Sequence, residues 1–273
     1  MNESMELETV VCSALEAQVK AEIDISIATA RRYPRSLTAF RQKATTMATS
    51  DPDIAGSCFY KLSRKGDEGS KSIEGPSVRF AEIVAAAYGN LRFGARVIEV
   101  QENVVIAQGV AHDLENNVST TTEVRRRIVN KYGKRYSEDM INTTCNAACS
   151  IALRNAIFKT VPLALAKPIY DQAKKAAIGD VKTIGERRTA MLKKFSELGV
   201  IAARIFAKLD IKGSDDIGLE HLENLIGFYT AIKDGEETVE SVFPDQVSIS
   251  VTESTPPKTI GESVTKSTPE VKK

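Results

Sequence analysis

Between residues 92 and 129 the chain runs through three segments in which side chains of opposite character alternate. They span 92–100, 104–114 and 119–129, with polar turns at 101–103 and 115–117 between them. Alternation with period two marks a half-buried strand. Turns this short make antiparallel pairing of consecutive strands the economical arrangement. A helix is expected on each side. The first opens at Pro76, carries Val78, Phe80, Ala81, Ile83, Val84 and Ala87, and ends at Gly89, a residue suited to a helix C-cap. The second covers 137–160. Ser137 is placed to cap it, and Glu138 and Asp139 favour its positive first turn. Its middle is built from Thr143, Thr144, Ala147, Ala148, Ser150 and Ala152, small residues that let a helix lie close to a sheet, and Pro162 ends it. The fold class that follows is α+β, an antiparallel three-stranded meander flanked by helices.

The flanking sequence adds helical regions. Residues 1–50 read as an N-terminal helical region. It holds one helix over 5–30, a break at Pro34 and a second helix over 37–48 capped by Ser36. Residues 51–180 form the α+β core. Within it 50–53 reads as a turn, 57–64 as a strand, 65–72 as a mobile polar loop and 164–178 as a basic helix. Residues 183–235 read as a separate module of about three short helices. The stretch 244–273, rich in Ser, Thr, Pro, Glu and Lys, reads as a disordered tail.

Several function classes find no support. No GxxxxGK[ST] occurs, so P-loop ATP hydrolysis is not expected, and no GxGxxG, GxSxG or HExxH is present. The four cysteines form no CxxC pair. Cys145 and Cys149 share a helix face and read as small apolar residues in a helix–sheet contact. The acids are scattered and assemble no carboxylate cluster that would hold a catalytic metal. No cofactor, metal site or catalytic residue is therefore expected. No apolar run approaches the ~18 residues of a membrane span, and the acidic start lacks the pattern of a signal peptide, so the expected location is cytoplasmic.

The net charge of +1 conceals a segregation. Residues 1–30 carry a net of −5, residues 31–188 a net of +10 and residues 189–273 a net of −4. A basic centre between acidic ends points to a polyanion as partner. Alternation along 119–129 divides the basic run. Thr122, Val124, Arg126 and Ile128 form the more apolar set, expected to face the helices, with Arg126 reaching the rim or pairing with an acid. Arg125 and Arg127 are expected on the open face. Arg92 and Arg96 share one face of the first strand and extend the same surface. The turn after the third strand mixes Lys131, Lys134 and Arg135 with Tyr132 and Tyr136. Cations for phosphates beside aromatic rings for unpaired bases are what single strands require. Lys71, Arg79, Arg154 and Lys159 are further candidates for phosphate contact, and Phe59, Tyr60 and Phe93 for stacking, Phe93 more readily as core.

The order helix, three-stranded meander, long helix, with Ala152, Arg154, Ile157, Phe158 and Pro162 in the last, resembles the phage single-strand annealing proteins of the RecT/Redβ and Erf group over about 59–178. The early part of the chain has no counterpart in that group. The resemblance implies ATP-independent binding and annealing of single-stranded DNA in phage-type homologous recombination, inside a bacterial host. It also implies a homo-oligomeric ring or filament, and a partner nuclease or single-strand-binding protein recruited through 183–233. Two other classes stay open. One is a metal-dependent nucleic-acid-processing enzyme whose acids meet only in space. The other is a self-assembling structural protein with incidental DNA contact.

Overall fold

The computed structural model describes residues 2–66, 69–130 and 132–244, and their side chains except over 2–13 and 64–71. The expected tail lies, from residue 245 onward, outside the described residues. The protein is α+β, with a three-stranded antiparallel sheet, a separate two-stranded sheet and helices. The larger sheet is the meander β3 (Leu91–Val100), β4 (Val104–Asp113) and β5 (Val118–Arg127), with β4 in the centre. In chain order it falls between α4 (Val78–Tyr88) and α5 (Glu138–Thr160), as the periodicity predicts. Ser77 and Ser137 cap these helices by accepting from the amides of Phe80 and Met140. Pro76, expected in the first turn of α4, instead ends the preceding strand, because the serine beside it is the better cap.

A close helix–sheet approach occurs at Gly109 of β4. A Cβ there would sit 2.2 Å from the carbonyl oxygen of Ala152 on α5. Thr122 Oγ1 on β5 donates to that same oxygen at 2.8 Å. The small residues of α5 thus have a specific purpose: its backbone rests on the sheet. Val105, Ala107, Ile128, Ile141, Ala148 and Ala152 close a compact core between the two layers, and Cys145 and Cys149 pack beside it.

The segment 65–72 departs from the expected loop. β1 (Phe59–Gly66) and β2 (Gly69–Pro76) form a long hairpin in which Gly66 pairs with Gly69. The alternation that reveals a half-buried strand is missing there because the segment is polar and glycine-rich. The expected turn at 50–53 is the start of a short helix, α3 (Pro52–Ser57), capped by Asp51.

The N-terminal region supplies α1 (Asn2–Arg32) and α2 (Leu37–Ala48). Farther on come α6 (Leu163–Ile178), α7 (Ile184–Glu197), α8 (Ala202–Leu209), α9 (Leu219–Lys233) and α10 (Val239–Val242). The helices after 183 are not packed as a module of their own. Phe195, Leu222, Leu225 and Phe243 share one continuous core with Phe40, Phe59, Phe80, Ile157 and Ile169. Polar ties reinforce the union: Lys174 of α6 bridges Glu74 of β2 at 2.5 Å and Glu223 of α9 at 2.8 Å. Among the described residues no helix is long and apolar enough to cross a membrane.

The elbow between α1 and α2 is pinned by Arg35. Its guanidinium pairs with Asp113, lies 3.0 Å from Glu115, and stacks 3.8 Å from the centre of the Tyr88 ring. Burial opposes the charge of Asp113, yet hydrogen bonds from Arg35 and Asn116 outweigh it and hold the carboxyl below its usual range.

Candidate nucleic-acid interface

Strand register builds the site. Residues opposite one another on antiparallel strands point to the same face. Gly109 and Thr122 touch α5, so their neighbours one position along point away from it. Arg92 stands opposite His112, which stands opposite Ser119. Arg96 faces Gln108, which faces Glu123, and Arg96 Nη2 lies 3.4 Å from Gln108 Oε1. Past a bulge at residues 97–99, Glu99 faces Ile106, which faces Arg125, and Arg127 faces Val104. Arg92, Arg96, Arg125 and Arg127 therefore share the face that α5 leaves open, and all four are exposed. Glu99 and Glu123 offset the charge in part.

Arg126 turns to the other face, as its alternation requires. Its Nη2 reaches the carbonyl oxygen of Gly235 at 3.4 Å, which places it at the rim of the helical layer.

At the Arg127 end, the chain leaves β5 through a tight turn. Asn130 organises it by accepting from the amides of Tyr132 and Lys134 at 2.9 and 3.0 Å. Tyr132 is 81% exposed and Lys134 is exposed, both in the turn that follows β5. Arg135 is engaged otherwise. Its guanidinium donates to the carbonyl oxygens of Gln101 and Glu102 at 3.1 and 2.6 Å and fastens the turn to the β3–β4 connection. Tyr136 is half-buried against the small core beneath α5. Lys131 lies outside the described residues, as does the side chain of Lys71.

Three candidates fall away from this face. Arg154 projects from α5 on the helical side, where it is buried, pairs with Glu236 and stacks 4.6 Å from the Tyr60 ring. It is a structural ion pair rather than a phosphate ligand. Lys159 is exposed near the end of α5, also in the helical layer. Arg79 on α4 pairs with Glu82 at 2.9 Å and stands 3.9 Å from Asp234. Among the stacking candidates, Phe59 is fully buried, whereas Phe93, expected in the core, is partly exposed on the edge strand.

The site also includes residues that the basic pattern alone did not single out. Gln108 and His112 alternate along β4 into the open face, a placement readable from that strand once its pairing partners are known. Ile23 of α1 joins Arg92, Arg96, Gln108 and His112 around a shallow cleft of about 480 Å³ at one end of the sheet. Among the described residues no group of three or more His, Cys, Asp or Glu is arranged to hold a metal ion.

No family model, curated protein or solved structure matches the chain.

Proposed function

We propose that this protein binds single-stranded DNA along the open face of the β3–β4–β5 sheet and promotes its annealing to a complementary strand without ATP. The observation that carries the reading is the register that sets Arg92, Arg96, Arg125 and Arg127 on one face, the face opposite α5, with all four exposed. Guanidinium groups neutralise phosphates without reading base edges. A strand held by its backbone on an open sheet keeps its bases available to test pairing. Tyr132, at the end of the face, offers a ring on which an unpaired base stacks. The order of elements and the late helix on which the resemblance to phage annealing proteins rests agree with this reading. Assembly of several copies would lengthen the cationic track, and the open edge of β3, with Phe93, Val97 and Val100 exposed beside it, supports such assembly.

The test is annealing of two complementary labelled oligonucleotides in EDTA, without nucleotide, at low and moderate salt. Acceleration over the spontaneous rate is expected. Arg125→Ala with Arg127→Ala should weaken binding of all sequences alike. It should also flatten the slope of log K against log salt by about 0.7 for each phosphate that is no longer neutralised. Unchanged binding by the folded double variant would remove the open face as the site. Dependence of the reaction on a divalent metal, with loss of intact substrate, would favour the processing enzyme.

A further inference from the structure

The helical layer contains a cavity away from the open sheet face. It lies between α3, α7 and α9 and measures about 330 Å³. Met191, Leu222 and Ile226 give it an apolar floor, and Tyr229 an aromatic wall. Asp234, which caps the end of α9, enters the lining with its side chain 9% exposed. One carboxylate oxygen stands 3.9 Å from Arg79, and the other, Oδ2, is buried without a hydrogen-bond partner. A buried acceptor left unsatisfied is costly and calls for an explanation. Burial pushes this carboxyl up to about 6, with the nearby Arg79 only partly opposing the shift.

Most of the charged groups that line the cavity are cationic. Arg79, Arg187, Lys194 and Lys233 outnumber the acids Asp53 and Asp234. Lys194 is held by Asp53 at 2.5 Å, and Arg187 donates to the carbonyl oxygens of Ala176 and Ala177. Lys233 is exposed and has no ion-pair partner among the described residues. The cavity thus asks for a ligand that combines hydrogen-bond donors, a flat or apolar body and an anionic group.

We propose that this cavity binds a guanine nucleotide, with the base donating to Asp234 and the phosphate held by the cationic groups around Lys233. Guanine is the base whose pairing edge carries two adjacent donors, the N1–H and the exocyclic amine, and these suit an acceptor-only carboxylate. Adenine offers a donor beside an acceptor there, which suits an amide instead. The same chemistry has two sources, the free nucleotide and a guanine at the end of a strand.

The experiment is calorimetric titration of the full-length protein with GMP, AMP and CMP, and with short oligonucleotides that end or do not end in guanine. GMP is expected to bind in preference to AMP and CMP. Asp234→Asn should lower GMP affinity by roughly tenfold and shift the preference toward AMP. Lys233→Ala should weaken GMP while leaving guanosine unchanged. Tighter binding of the guanine-ended oligonucleotide than of GMP would name the strand end as the source, and equal binding the free nucleotide. The titrations are repeated on the Arg125→Ala, Arg127→Ala variant, whose defect on the open face leaves this cavity intact, so failure of either site is seen separately. Absence of saturable GMP binding up to about 1 mM, or an unchanged order of preference in folded Asp234→Asn, overturns the proposal.

Discussion

Arg154 shows how far one side chain's role is decided by a partner far along the chain. In sequence it is a cation near the end of a basic helix. In the fold it meets Glu236, 82 residues later, with both side chains largely buried and the guanidinium over Tyr60. Removing one member of a buried pair strands the other charge, which costs about 3–5 kcal/mol. Arg154→Ala should therefore lower the denaturant midpoint sharply. At a temperature where the variant stays folded, the salt slope of DNA binding should be that of the unaltered protein. A flatter slope would return Arg154 to the phosphate-binding residues. Arg125 and Arg127 differ because alternation within one strand is enough to place them, and the open face was legible for that reason. Arg135 was legible as exposed, but its grip on the carbonyls of Gln101 and Glu102 depends on a turn brought alongside from 33 and 34 residues away.

Among the elements, the meander and α5 declare themselves through strong local signals. They have clean periodicity, serine caps at both flanking helices and a run of small residues. Those small residues explain each other only in three dimensions, since Gly109 lies against the backbone of Ala152 where β4 and α5 meet. Gly109→Ala should force the helix off the sheet or bend the strand, at a cost of about 1–3 kcal/mol. An unfolding titration checks this, and Gly94→Ala is the control, because a Cβ at Gly94 meets nothing within 4 Å. The strand read over 57–64 is β1, whereas its return strand β2 was hidden for the converse reason. The distal half of the hairpin is polar, so no buried face imposes alternation, and its glycines read as loop although they form the closing pair of two strands. The packing across residue 183 was hidden likewise. Charge and composition change there, yet burial is decided by Phe195, Leu222 and Phe243 joining the earlier core, and composition carries no record of which apolar faces meet.

The whole molecule carries buried carboxyls of two kinds, and their opposite effects set its response to pH. Asp113 is held below its usual range by the hydrogen bonds from Arg35 and Asn116, which outweigh its burial. The stability it confers is present above the unfolded pKa and is lost as pH falls through the folded value. Asp234 is raised by burial to about 6 from 3.8. Here the folded state holds the proton more tightly, so stability falls as pH rises from about 4 to about 6, and above that range the loss is complete. A shift of this size corresponds to at most about 3 kcal/mol, reduced where solvent screens the carboxyl. The two windows leave a zone near pH 4–5 where Asp113 is charged and Asp234 still largely protonated. The thermal midpoint of the ligand-free protein should therefore peak on the acid side of neutrality and decline toward pH 7. In Asp234→Asn the decline should disappear, leaving the variant more stable than the parent at pH 7 by about 5–10 °C and equal to it near pH 4. Midpoints measured across pH 4–8 for the two proteins check this. Parallel curves would show that the orphaned carboxylate of Asp234 is not the group whose burial the fold tolerates, and that its cavity carries no such cost for a ligand to relieve.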